Sequence, residues 1–171
     1  MSENFYLTGE CVSDSEPYEY RSCGLDGIFL LNGFDCHEYD GEQYVSIKDI
    51  DGLHVAIGRH LVKHRKALAP KDVRFLRKTM GQSQSELAEY LGKNSQSVAR
   101  WEKGANDIPG SAEKLLRAIF IARYLDDDDL ESLRTLLVDN FGELDAMDEQ
   151  QTRPVQFTLT NHWAEDEAAA A

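Results

Sequence analysis

The sequence predicts an α+β chain: a small N-terminal antiparallel sheet with a helix, then an all-α domain, then an acidic C-terminal segment. Three observations carry that prediction. Between Tyr18 and Ile47, apolar runs are punctuated by turn dipeptides at strand-like spacing. From Pro70 to Leu125, apolar residues recur at helical spacing between capping signals. Beyond Leu125 the chain turns acidic, with 13 Asp/Glu against 2 Lys/Arg over residues 126–171.

Residues 1–16 are polar and acidic with little periodicity, and read as a flexible N-terminal segment. Residues 17–66 form the first domain. In it, Gly27 to Leu31 is a dense apolar run, Asn32-Gly33 is a hairpin signal, and Asp40-Gly41 is another turn before Gln43 to Ile47. A meander of this kind needs a cover for its apolar face. Leu53 to Lys66 supplies one as a helix, with Leu53, Ile57, Leu61 and Val62 on a stripe. Residues 63–67 are a short basic linker, and Pro70 fits the first turn of the next helix.

Residues 67–125 form the helical domain, with an expected core of Val73, Leu76, Met80, Leu87, Leu91, Val98, Trp101, Ile108, Leu115, Leu116 and Ile119. Its centre carries the most information. Ser83 with Glu86 is a capping box, each side chain satisfying a backbone N–H of the other residue. Leu87, Ala88 and Leu91 follow at helical spacing, and Gly92 supplies a positive φ just past the helix end. A second helix starts at Asn94 or Ser95 and stops at Gly104, turning Val98 and Trp101 inward and Gln96, Ser97, Arg100 and Lys103 outward. Helix, glycine turn and a helix with an apolar back and an amide-plus-guanidinium front describe a DNA-reading helix-turn-helix. In the last segment, residues 126–171, an acid run at 126–129 precedes an amphipathic helix at Leu130 to Val138; Pro154 to Thr160 is a short strand, and the end is low-complexity.

The pattern Ser-Gln-x-x-Leu-Ala-x-x-Leu-Gly from Ser83, followed by Gln96-Ser-Val-x-Arg-Trp-Glu-Lys-Gly104 and Pro109, resembles the Cro/C1 (XRE-type) helix-turn-helix family. With Tyr20 to Ile28 and Asp51 to Ile57 included, the chain from about Tyr18 to Tyr124 looks like an antitoxin of the MqsA/YgiT type, which joins a small sheet domain to this motif. The resemblance implies a transcriptional regulator acting as a homodimer on a palindromic double-stranded DNA operator. It also implies a second partner, a small basic toxin protein.

Composition bounds this reading. A length of 171 residues suits one domain or two small ones. The absence of a bilayer-length apolar run and of a basic-then-apolar leader predicts a soluble, cytoplasmic protein with no membrane partner. Cys11, Cys23 and Cys36 are an odd number without a C-x-x-C pair, which argues against a disulfide framework. The net charge of −13 is unevenly spread: residues 1–66 hold 6 Lys/Arg and 12 Asp/Glu, whereas residues 67–125 hold 10 and 6. The helical domain is thus the positive part, and local field is what guides a polyanion.

The candidate DNA-binding residues are Gln84, Ser95, Gln96, Ser97, Arg100 and Lys103. Gln96 and Arg100 stand one turn apart. A Gln amide matches adenine N6 and N7, and Arg forks onto guanine O6 and N7. Ser95, Ser97, Gln84 and Lys103 suit phosphates near helix N-termini. The competing reading is the solvated face of an ordinary helical domain. Trp101, three residues from Val98, reads as core rather than as a stacking platform.

No metal or other cofactor is expected. Relatives of the type the sheet domain resembles hold zinc with two C-x-x-C pairs, but here Asp40 and Gly41 stand where a partner cysteine belongs. Cys23, Cys36 and His37 offer three ligands where a structural zinc takes four. His60 and His64, at i and i+4, lie in a basic stretch that opposes a cation. The chain shows no H-E-x-x-H, P-loop or G-x-S-x-G pattern, and reads as no enzyme. The function predicted is sequence-specific duplex binding by an autoregulating, antitoxin-like repressor. Two rivals stay open: an orphan regulator without a toxin, and a protein-interaction module whose acidic flanks neutralise a basic partner.

Overall fold

The structure is a computed structural model and describes residues 5–8, 16–124 and 154–166. The fold is mixed α+β, with two small sheets and, among the described residues, five helices. The chain divides into two compact units, 1–57 with 153–171, and 58–152. None of the helices among the described residues is long and apolar enough to cross a membrane. The acid run at 126–129 and the helix expected at Leu130 to Val138 lie outside the described residues.

In the first unit, strands β1 (Phe5–Thr8), β5 (Glu42–Ile47) and β4 (Phe34–Tyr39) make an antiparallel sheet in the order β1-β5-β4. β4 and β5 meet at Tyr39↔Glu42 across Asp40 and Gly41, whose φ values of 54° and 78° are those of a primed two-residue turn. β1 falls within residues 1–16, read from the sequence as a flexible segment: four residues are too short a run to show periodicity, and their ladder bonds come from β5. β2 (Tyr18–Glu19), β3 (Ile28–Leu30), β6 (Val155–Leu159) and β7 (Trp163–Glu165) form a second sheet in that order. There β3 and β6 run parallel.

Asn32-Gly33 is therefore not the hairpin turn its sequence suggests, because β3 and β4 belong to different sheets. Its conformation serves another contact. Gly33 has φ +76°, and a Cβ placed there would come within 2.6 Å of the Trp163 ring. Asn32 Nδ2 donates to Thr158 Oγ1 at 3.1 Å, and Leu159 N donates to Asn32 Oδ1 at 2.6 Å. The dipeptide thus fastens β6 and β7 to the sheet unit. The core of this unit comprises Tyr20, Ile28, Leu30, Val45, Ile47, Leu53, Ile57, Phe157 and Trp163.

Helix α1 (Ile50–His64) spans the division between the units, and its last turns belong to the second. The second unit adds α2 (Pro70–Thr79), α3 (Gln84–Tyr90), α4 (Ser95–Glu102) and α5 (Gly110–Arg123). Val73, Leu76, Met80, Leu87, Leu91, Val98, Trp101 and Leu116 are buried as expected. Of the other expected core residues, Ile108 and Ile119 are half-buried and Leu115 is 42% exposed, while Phe120 and Ile121 are buried. Arg117, only 1% exposed, occupies a core position on α5 with Leu116 and Phe120.

That guanidinium closes the end of α1. Arg117 Nη1 donates to Val62 O at 2.8 Å, and Nη2 donates to Arg65 O at 2.9 Å and Glu113 Oε1 at 2.5 Å. A cation at a helix C-terminus satisfies orphan carbonyls and complements the dipole. Glu113 Oε1 also accepts Leu68 N at 3.1 Å, so the linker between α1 and α2 is held at a defined position. Asp72 accepts Ala69 N at 2.9 Å at the start of α2. Burial raises the Asp72 carboxyl above its ordinary value against the opposing pull of that hydrogen bond and of Arg65 and Arg117.

Candidate nucleic-acid interface

The capping box forms as the sequence specifies: Glu86 N donates to Ser83 Oγ at 3.2 Å, and Ser83 N to Glu86 Oε2 at 2.7 Å. These bonds hold the exposed Glu86 carboxyl below its ordinary value. Gly92 takes φ +61° just past α3, and the chain turns into α4. Asn94, not Ser95, caps α4. Its Oδ1 accepts both Ser97 N at 2.8 Å and Ser97 Oγ at 3.0 Å. Gly104 ends the motif with φ +69°.

The six candidate residues separate into two kinds. Ser95, Gln96, Arg100 and Lys103 are exposed on α4 and its C-cap. Gln96 and Arg100 sit at i and i+4, which puts them on one side of the helix. Ser97 is half-buried and its hydroxyl is committed to Asn94, so its role at the N-terminus is to order the helix. Gln84 is also half-buried, and its Nε2 donates to Glu102 Oε2 at 2.9 Å. Both residues thus spend polar atoms inside the motif rather than outside it. Val98 and Trp101 are buried on the back of α4, Trp101 to 5% exposure.

A buried ionic hub fixes this arrangement, and the sequence reading missed it. Arg77 on α2 donates from Nε to Glu102 Oε1 at 2.5 Å and from Nη2 to Glu102 Oε2 at 3.0 Å. Its Nη1 donates to Gln82 O at 2.7 Å. The two side chains are only 12% and 4% exposed. A fork-to-fork pair with the remaining guanidinium donor on a backbone carbonyl leaves little of either charge uncompensated. Burial pushes Glu102 upward, but the hydrogen bonds from Arg77 and Gln84 and the charges of Arg77 and Arg74 outweigh it, holding the carboxyl below its ordinary value. One carboxylate thereby ties α2, the start of α3 and the end of α4 together. The only signal in the sequence was an acid directly after a buried Trp, on the inward side of a short helix.

Among the described residues, the sulfur and nitrogen atoms of Cys23, Cys36 and His37 do not gather into a metal-sized cluster. Cys23 Sγ donates to Tyr20 O at 3.3 Å, and burial pushes its thiol up to about 11. His37 Nε2 lies 3.0 Å from Ser46 Oγ. His60 and His64 place their rings 5.1 Å apart on α1.

No family model matches this chain, and no curated protein or solved structure matches it either.

Proposed function

We propose that this protein is a sequence-specific double-stranded DNA-binding regulator whose second unit reads bases with α4. The observation that carries the reading is the division of labour on that helix. Gln96 and Arg100 project from an outer face, while Asn94 at one end and the Glu102 hub at the other fix the helix that bears them. Arg and Gln are the side chains that fork onto guanine and adenine edges in a major groove. Lys103 and Ser95 flank them as phosphate contacts, and Ser97 and Gln84 act by positioning the motif.

One eight-residue helix reads few base pairs, so the working form is a homodimer on a palindromic operator. On the same reading the protein is an autoregulating, antitoxin-like repressor. The 12 acids of residues 1–66 and the 13 of residues 126–171 suit a small basic toxin protein as second partner. Arg100→Ala should cost about 1–3 kcal/mol on a selected duplex and relax preference at one base position. Lys103→Ala should weaken all duplexes alike. Wild-type affinity and preference in Arg100→Ala would remove α4 as the reading helix. Coexpression with a small basic protein encoded beside this one tests the second partner: separate elution of the two refutes the antitoxin role and leaves DNA reading intact.

A further inference from the structure

We propose that the outward face of α2, formed by Lys71, Arg74 and Lys78, is a second, sequence-independent surface for duplex phosphates beside α4. The inference rests on the DNA-binding reading and adds to it a set of contacts on a different helix.

The placement follows from two contacts. Arg77 grips Glu102 near one end of α2, and at the other end Pro70 Cγ lies 3.4 Å from where a Cβ on Gly104 would sit. At about 100° per residue, Pro70 and Arg77 fall within about 20° of each other, so this edge of α2 runs along the C-terminal end of α4. Arg74, Lys78 and Lys71 then follow at about 50°, 90° and 110° further round, and all three are exposed. The charge of Arg74 reaches the Glu102 carboxyl, in agreement with this position. The buried residues Asp72, Val73 and Leu76 occupy the opposite side, and the buried Phe75 lies about 40° past Lys71 at the edge of the face.

Charge gives the surface its partner. Asp72 is the one acid in α2 and is 2% exposed, so the only charged side chains that α2 itself places on its outer face are cations. In a chain of net charge −13 such a face is unusual. From Lys71 to Lys78 the helix rises about 10.5 Å, the axial length of roughly three base pairs and so of a short row of phosphates. Long lysine and arginine side chains meet such a row without reading bases, which is the positioning part of DNA recognition.

The test is a triple variant of the full chain, Lys71→Gln, Arg74→Gln and Lys78→Gln, which keeps good helix formers throughout α2. Binding to a mixed-sequence 30-bp duplex is measured by fluorescence anisotropy at several KCl concentrations, with circular dichroism confirming the fold. The slope of log affinity against log salt should fall in magnitude by about 2–3, and affinity at low salt by on the order of 10–100-fold. The base preference found by selection from random duplexes should stay as in wild type. Arg123→Gln is the control, since Arg123 lines a separate groove with Glu86, Glu89 and Tyr90. Failure of the wild type to bind duplex at any salt overturns the DNA reading and this inference with it. Salt-dependent binding by the wild type with an unchanged slope in a folded triple variant overturns this inference alone. So does a loss in Arg123→Gln equal to one third of the change in log affinity of the triple variant, because net charge would then account for the effect.

Discussion

Arg77→Met is the perturbation that reports most directly on how the motif is held. It removes two bonds to Glu102 and one to Gln82 O, and leaves a carboxylate that is 4% exposed with Gln84 as its remaining donor. Breaking one side of a buried ion pair costs about 3–5 kcal/mol, against a typical domain stability of about 5–15 kcal/mol. Urea unfolding followed by circular dichroism at 222 nm measures the loss. The pH dependence carries the sharper test. In the wild type the Glu102 carboxyl is held below its ordinary 4.5, so its contribution is fully present above that pH and is lost as pH falls through the depressed value. In Arg77→Met the lowering by Arg77 is gone while the burial stays, so the carboxyl moves upward. The cost of keeping it ionised then disappears on acidification, so the gap between variant and wild type should narrow from pH 7 to pH 4. Arg77→Met combined with Glu102→Leu should recover at least half of the lost stability, because a buried pair replaced by apolar groups is often near neutral. A single variant less than about 1 kcal/mol below wild type, or a double variant no better than the single, would show that the hub does not hold the motif.

Three further perturbations test the packing. Trp101→Ala should cost about 3–5 kcal/mol as a core truncation, and DNA binding should fail with the fold; a variant that melts like wild type yet loses DNA would place the indole on the nucleic acid. Gly58→Ala should cost on the order of 1–3 kcal/mol in thermal unfolding, since a Cβ there falls 2.1 Å from the buried Phe120 ring; an unchanged melting temperature would mean that α1 and α5 separate freely. His54 Nε2 lies 2.8 Å from the buried Tyr20 hydroxyl, and burial lowers its pKa from 6.5 against the opposing charge of Asp51. The neutral ring thus stabilises the first unit above about pH 6.5, and this contribution is lost as pH falls through the lowered value. His54→Gln should flatten stability between pH 7 and pH 5, and an equal slope in both proteins would remove His54 as its source.

What was legible in the sequence was local. The Ser83–Glu86 box, Gly92 and the Asp40-Gly41 turn each involve residues a few positions apart, and each forms as read. Asn32-Gly33 shows the limit of that logic: its turn chemistry was recognised, but its partners, Thr158, Leu159 and Trp163, lie more than 120 residues away. The parallel pairing of β3 with β6 is hidden for the same reason. Charged core residues misled in another way. Arg117 and Glu102 look like surface groups by type, and only the carbonyls and guanidinium that surround them in the fold make their burial affordable. Leu115 was expected in the core as an apolar residue, and it is Arg117 that is buried.

The same distinction governs the candidate interface. An isolated helix of eight residues has little stability in water, so the orientation of Gln96 and Arg100 is set by whatever grips α4 from outside. Asn94 orders its first turn through Ser97, and Glu102 anchors its last turn to α2. Gln84 is part of that anchor, its Nε2 tying the start of α3 to the end of α4. Side chains presented on a helix fixed at both ends lose less freedom on binding than the same side chains on a fraying one. If α4 reads DNA as proposed, much of the affinity depends on residues that touch no nucleic acid, and Gln96 and Arg100 are only the outer half of the site.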